Sequence, residues 1–264
     1  MRLQTASQHR TLATAFERSG FGVHTAHPVR VRVGPAHWGA GIVFEIDGQT
    51  VPATLHTASA PGGCTVLSRG DHRVMTPEHL MAALSLAGIT DATVQLSSPE
   101  LPILDGAAQS WWDGLMHAGT VDGPERQPVR VLHPGEFVGQ GGRAAWWPSD
   151  SQSIEVKVAY NGTIARARHK LGAPVSPSLL QAKTFCLASQ VHALRSAGRG
   201  RGANEHNTIV VSSATPEVAH HKLLDAIGDA ALMGPFTGHL LFELGSHALH
   251  QAALRSLLDK SAVD

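Results

Sequence analysis

The ten residues HHKLLDAIGD, positions 220–229, set two histidines, a lysine and two aspartates into otherwise apolar sequence. Read as a helix, at about 100° per residue, positions four apart fall about 40° apart on one face. His221, Asp225 and Asp229 then form one polar stripe, and His220 points away from Asp225. Leu224, Ile227 and Ala231 form an apolar stripe at core spacing. A histidine and a carboxylate one turn apart can hold a metal ion. They can equally be a hydrogen-bonded pair on a helix surface. Glu78–His79, Thr184 in AKTF and His247 in GSHALH are the other residues of chemical interest. Two histidines and one carboxylate leave a coordination position open for water, as in catalytic zinc sites, and His79, His221 and Asp225 supply that count. Glu78, beside a ligand, is placed to take a proton from water. Lys222 and His247 are donors that could stabilise an oxyanion or protonate a leaving amine. Spacing permits this assembly without requiring it.

The elements that must position these groups are legible in outline. VRVRV (29–33), GIVFEI (41–46), ATVQLS (92–97), SIEVKVAY (153–160), NTIVVS (207–212) and HLLFEL (239–244) read as strands. Helices are expected over 78–88, with Thr76 as N-cap, Pro77 in the first turn and Gly88 as the stop. Others are expected over 107–119, 190–200 and 216–234, and over the start of 176–187. TVDGPERQP (120–128) reads as a linker. EHLMAALSLAG–ITD–ATVQL and HHKLLDAIGDAALMG–PFTG–HLLFEL are both helix–turn–strand, which fits either two similar domains or coincidence.

Bulk properties narrow the function classes. The chain has 264 residues, enough for one large domain or two small ones. Lys+Arg and Asp+Glu balance at 21 each, which gives no reason to expect nucleic acid or an anionic membrane as partner. No apolar run approaches membrane-spanning length, and MRLQTASQHR lacks the apolar core of a signal peptide. Two cysteines, Cys64 and Cys186, make no disulfide framework, so the cytoplasm is the expected compartment. A monomer is expected.

TPEHLMAAL, PELPILDGAAQSW, AKTF, HKLLDAIGD and GSHAL, with SGFGVHT near the start, together resemble the zinc-dependent UDP-3-O-acyl-N-acetylglucosamine deacetylases of lipid A biosynthesis. The segments occur in the family's order and cover most of the chain, and as a set they are specific. The resemblance implies an α+β fold of two similar domains, 1–121 and 128–264, each a sheet layered with helices, with the active site between them. It implies Zn²⁺ on His79, His221 and Asp225, although Fe²⁺ suits the same ligands. It implies Glu78 as general base and His247 as general acid, with Asp229 orienting His247 and Thr184 at the carbonyl oxygen. Lys222, Phe185 and His24 would contact the substrate, a nucleotide sugar or another N-acyl compound.

The sequence also departs from that pattern. The resemblance implies an apolar insert near 186–207 that lines a passage for a long acyl chain. Here RGRG (199–202) brings two cations into that insert. They read either as a solvated loop or as a site for a shorter or polar acyl group, or for phosphate. Leu244 stands near where the family often has a lysine, and the connection from Val211 to His221 is shorter than usual.

Overall fold

The computed structural model describes residues 8–261. Its fold is α+β, built on two sheets of matching topology. The first runs in spatial order Phe16–Phe21, Pro28–Pro35, Ala92–Leu96, Ile42–Ile46, Gln49–Pro52. The second runs Gly135–Gly139, Gly142–Trp147, Phe236–Glu243, Gln152–Tyr160, Thr163–Lys170, with Val129–Arg130 added beside Phe236–Thr237. Counted along the chain, each set of five has the order 1-2-5-3-4. In each, the last strand lies in the middle, antiparallel to the second and parallel to the third.

A last strand parallel to an earlier neighbour needs a crossover, and a helix supplies it both times. Helix α1 (Glu78–Leu86) precedes Ala92–Leu96. The others are α2 (Gln109–Ala118), α3 (Pro177–Leu180), α4 (Val191–Ser196), α5 (Pro216–Ala231) and α6 (His247–Ser261). Helix α5 precedes Phe236–Glu243, so the two helix–turn–strand segments seen in the sequence are the same topological step in each sheet. Strand alternation gives each sheet one buried face: Val29, Val31 and Val33 in the first, Phe236, Leu240 and Phe242 in the second.

Helix α1 packs on α5 and α2, and α5 packs on α6 and on strands Gln152–Tyr160 and Thr163–Lys170. One continuous core includes Phe44, Val94, Leu84, Ile227, Ile154 and Phe242, from both sheets and the helices between them. The α1–α5 approach is closest where the polar residues lie. A Cβ on Gly228 would sit 2.2 Å from the Glu78 carbonyl oxygen, so no other residue fits there without moving α1. Gly228 lies between Asp225 and Asp229 on α5, so the contact sets the start of α1 against the polar stripe.

Several expectations change. Thr76 does not cap α1: it has φ +55° and its hydroxyl donates to the Met75 carbonyl at 2.7 Å, while Pro77 occupies the cap position. The expected stop at Gly88 is present, with φ +71° and its N–H on the Ser85 carbonyl. The stretch read as a linker contains a strand, Thr120–Glu125, paired antiparallel with Gln8–Leu12. Its Gly and Pro sit in an exposed edge ribbon, where they are tolerated. Thr215, not foreseen as a cap, accepts from the Val218 N–H at 3.2 Å and starts α5 together with Pro216. Helix α6 was not foreseen, although Leu249, Ala253, Leu254 and Leu257 are buried at helical spacing. Among the described residues no helix is long and apolar enough to cross a membrane.

In an ordinary helix interior Gly→Ala gains about 1 kcal/mol. Gly228→Ala should have the opposite sign, costing about 1–3 kcal/mol by overpacking against Glu78. Thermal denaturation of the variant is expected to show a Tm lower by roughly 3–10 °C. An unchanged or higher Tm would mean that the close approach does not constrain the fold.

Candidate metal and hydrolytic centre

Three helices deliver the candidate residues to one place. The first turn of α1 brings Glu78 and His79. The middle of α5 brings His221, Lys222, Asp225 and Asp229. The first residue of α6 is His247, and Ser246 caps that turn by accepting from the Leu249 N–H. His79 Nε2 and His221 Nε2 lie 3.7 and 3.6 Å from Asp225 Oδ1. Two ligands of a tetrahedral ion with bonds near 2.1 Å lie about 3.4 Å apart, so this donor set fits a zinc-like cation. The other ring nitrogen of His221 faces the Ala182 carbonyl at 3.3 Å, which fixes the tautomer that leaves Nε2 free for a ligand bond. Burial pushes the His221 pKa down to about 4, so the ring is neutral and able to coordinate at neutral pH.

Two groups face this cluster from the sides. His247 Nε2 lies 3.8 Å from Glu78 Oε1 and 3.8 Å from Asp225 Oδ2. Glu78 Oε2 is buried without a hydrogen-bond partner, and burial raises the pKa of this carboxyl. Burial opposes the charging of His247, but the Asp229 and Asp225 carboxylates outweigh it and raise its pKa to about 9. The pair therefore holds a carboxylate that accepts a proton readily and an imidazolium that carries one at neutral pH.

Behind His247 lies a network that the sequence showed only in part. Asp229 Oδ2 accepts from His247 Nδ1 at 2.7 Å and from His250 Nδ1 at 2.8 Å. Asp229 Oδ1 accepts from the Thr65 hydroxyl at 2.6 Å, and Gln251 Nε2 donates to that hydroxyl oxygen at 3.0 Å. Asp229, His247 and His250 are also close enough to hold a cation. We read them otherwise, because both ring nitrogens already bond the same carboxylate oxygen. The charge of His247, with the hydrogen bonds from His247 and His250, overcomes the burial of Asp229 and keeps it ionised, with its pKa far below the usual carboxylate range. His250 was absent from the sequence reading; its place one turn after His247 in GSHALH was the available signal. Thr65 carried no local signal, since it lies 164 residues from Asp229.

The remaining expected residues divide. Lys222 is buried, and its Nζ donates to Asp225 Oδ2 at 2.8 Å, so it neutralises the other oxygen of that carboxylate. The Phe185 ring stands edge-on to the His221 ring, with centroids 5.5 Å apart, and walls that side of the cluster. The neighbouring Thr184 hydroxyl donates to the Gly106 carbonyl at 3.0 Å, so its proton is engaged away from the cluster. His24 is not one of the metal donors: its Nε2 accepts from Arg199 Nη2 at 2.9 Å, and burial followed by the Arg199 charge lowers its pKa. The Cys64 thiol accepts from Arg199 Nη2 at 3.7 Å and feels the Glu78 charge. Burial and the Glu78 charge push its pKa up to about 12, which removes it as a nucleophile.

The family model described as UDP-3-O-acyl N-acetylglycosamine deacetylase (LpxC) matches residues 9–259. The chain belongs to that family. Family members similar to it include the UDP-3-O-acyl-N-acetylglucosamine deacetylase of Thermosynechococcus vestitus, 33% identical over 272 residues, which span 96% of this chain and 94% of that protein. The deacetylase of the same name from Brucella ovis is 31% identical over 278 residues, 97% of each chain. That of Leptospira biflexa is 28% identical over 278 residues, 98% of this chain and 92% of its own. The family match runs through every element that carries a site residue.

The donor geometry predicts one divalent ion per chain, measurable by elemental analysis after dialysis. His221→Ala should abolish stoichiometric binding. Asp229→Asn, which leaves the three donors in place, should weaken it by no more than about 10–100-fold. Equal loss in both variants would place the ion elsewhere.

Proposed function

We propose that this chain is a zinc-dependent amide hydrolase that removes the N-acetyl group of a UDP-3-O-acyl-N-acetylglucosamine-type substrate and releases acetate. The setting would be lipid A biosynthesis in the cytoplasm. The observation that carries the reading is the convergence of the His79, His221 and Asp225 donors beside Glu78, whose Oε2 has no hydrogen-bond partner, and the charged His247. The names of the relatives support the substrate class. The donor set supports zinc, with Fe²⁺ the other ion such ligands accept. In this reading the two sheets belong to two domains, 1–121 and 128–264, that share the centre.

When bound, the ion supplies a Lewis acid that polarises the acetamide carbonyl and acidifies water. The residues of the chain do the rest. Glu78 Oε2, buried and without a partner, accepts the proton lost by the attacking water. The water oxygen bonds to the carbonyl carbon, and the C–N bond then breaks. His247 Nε2 first offsets the negative charge that develops on the carbonyl oxygen, then gives its proton to the departing nitrogen. Asp229 holds His247 through Nδ1, so that Nε2 presents its proton to the substrate. The products are acetate and a free amino sugar. Thr184 contributes to the carbonyl oxygen once its hydroxyl turns from Gly106. Lys222, Phe185 and His24 contact the substrate, Lys222 while keeping its bond to Asp225.

A second reading, hydrolysis of an N-acyl amino sugar with a short O-acyl chain or none, is favoured by the placement of Arg199. Its Nη2 reaches from the insert to within 3.7 Å of Cys64 Sγ. Incubating the zinc-loaded protein with a long-chain UDP-3-O-acyl-N-acetylglucosamine and with UDP-N-acetylglucosamine, and following acetate loss by mass, separates the two. Chelator-sensitive turnover of the long-chain compound alone supports the first reading. Turnover of the short compound at least as fast supports the second.

Glu78→Gln should keep the ion and lose about 10²-fold or more in kcat. Activity should be bell-shaped in pH. It rises as Glu78 ionises, its pKa raised by burial and lowered by a bound cation, and falls as His247 loses its proton. That fall lies at or below about pH 9, because a bound cation lowers the His247 pKa. His247→Ala should remove the alkaline limb along with most of the rate. An alkaline limb unchanged in that variant would take His247 out of the acid role.

A further inference from the structure

A cavity of about 400 Å³ has Cys64 and His24 in its lining, together with Arg73, Arg199 and Arg201. None of the three guanidinium groups has a carboxylate partner among the described residues. Arg199 is the inner one. It is half-buried and turned towards the wall, where Nη2 donates to His24 Nε2 at 2.9 Å. A Cβ on Gly62 would lie 2.1 Å from its Nη1, so the bare glycine backbone lets the guanidinium through. Arg73 and Arg201 are exposed and flank the mouth. Two buried acids act on this wall without pairing the guanidinium groups: Glu78 on Cys64, and Glu100 on Cys64 and His24, where Glu100 accepts from the His24 N–H at 2.7 Å and the Thr25 N–H at 2.8 Å. The opposite wall, Pro61, Val66 and Met75, is apolar.

Three unpaired like charges around one cavity repel one another, and each guanidinium brings five N–H donors. An anion with several acceptor oxygens relieves both, through charge-assisted and bidentate hydrogen bonds. A bare alkyl chain relieves neither, and it would strip water from the inner guanidinium. We propose that this cavity is an oxyanion subsite that takes a phosphate or carboxylate group between Arg199, Arg201 and Arg73. The group is either free in solution or the end of a larger ligand whose apolar stem lies on Val66 and Met75. The subsite shares His24 with the substrate contacts of the deacetylase reading but none of the three metal donors, so it is tested by anion binding and not by turnover.

Isothermal titration with inorganic phosphate, on zinc-loaded protein and again after chelation, tests it. Saturable binding in the millimolar range or tighter, equal in both forms, is expected. R199M and R201M should each weaken it at least 10-fold, with far-UV circular dichroism unchanged. Arg201 is exposed, so R201M carries the test if R199M does not fold. Butyl phosphate as a second probe identifies the source of the anion. Binding at least 10-fold tighter than phosphate marks a carried group, and equal binding marks a free one. No binding at tens of millimolar phosphate, loss of binding on chelation, or binding indifferent to both arginine substitutions would overturn the proposal.

Discussion

The centre depends on one close contact, the backbone of α5 at Gly228 against the carbonyl of Glu78 at the start of α1. Each helix by itself carries an incomplete set of groups. Helix α1 has one histidine and a carboxylate at its first turn. Helix α5 has one histidine and two aspartates along a stripe. Only when the helices touch without a side chain between them do His79 and His221 both come within 4 Å of the same Asp225 oxygen. The matching sheets explain how this arises. Each places a helix immediately before its central strand, and those two helices are the ones that meet.

The second constraint is charge. Asp225 and Asp229 are both buried, and a buried carboxylate is tolerated only with close partners. Asp225 has Lys222 on one oxygen and faces two histidines with the other. Asp229 is enclosed by His247, His250 and Thr65. One carboxylate keeps an oxygen available for a cation, whereas the other has one oxygen on His247 and His250 and its second on the Thr65 hydroxyl. Two aspartates one turn apart on the same stripe thus receive different roles from their neighbours and not from their own chemistry. Glu78 differs from both: its unpaired oxygen is costly for stability and useful for accepting a proton.

The two cations of the insert near 186–207 are placed differently. RGRG reads either as a solvated loop or as a polar site, and Arg201 is exposed as the loop reading has it. Arg199 instead turns inward to His24 and Cys64, with Gly62 vacating its path. A cation held against Cys64 and His24 changes what can lie there.

The sequence by itself determined the local pieces. Helical periodicity placed His221, Asp225 and Asp229 on one face of α5, opposite Leu224 and Ile227, because that arithmetic needs no partner. It also showed the two helix–turn–strand segments, and ordered motifs pointed to the family. What it could not show is what lies across space. Thr76 looked like a cap because cap preference is local, but its backbone turns left-handed before α1 begins. Residues 120–125 looked like a linker because turn residues are abundant there, but Gln8–Leu12 pairs with them from more than a hundred positions away. The division of labour between the two aspartates, the shared hold of His250 and Thr65 on Asp229, and the inward turn of Arg199 were decided by tertiary structure alone. Each is a contact between groups that only packing brings together, and hydrogen bonds and charge pairs act over a few ångströms of space, whatever the separation along the chain.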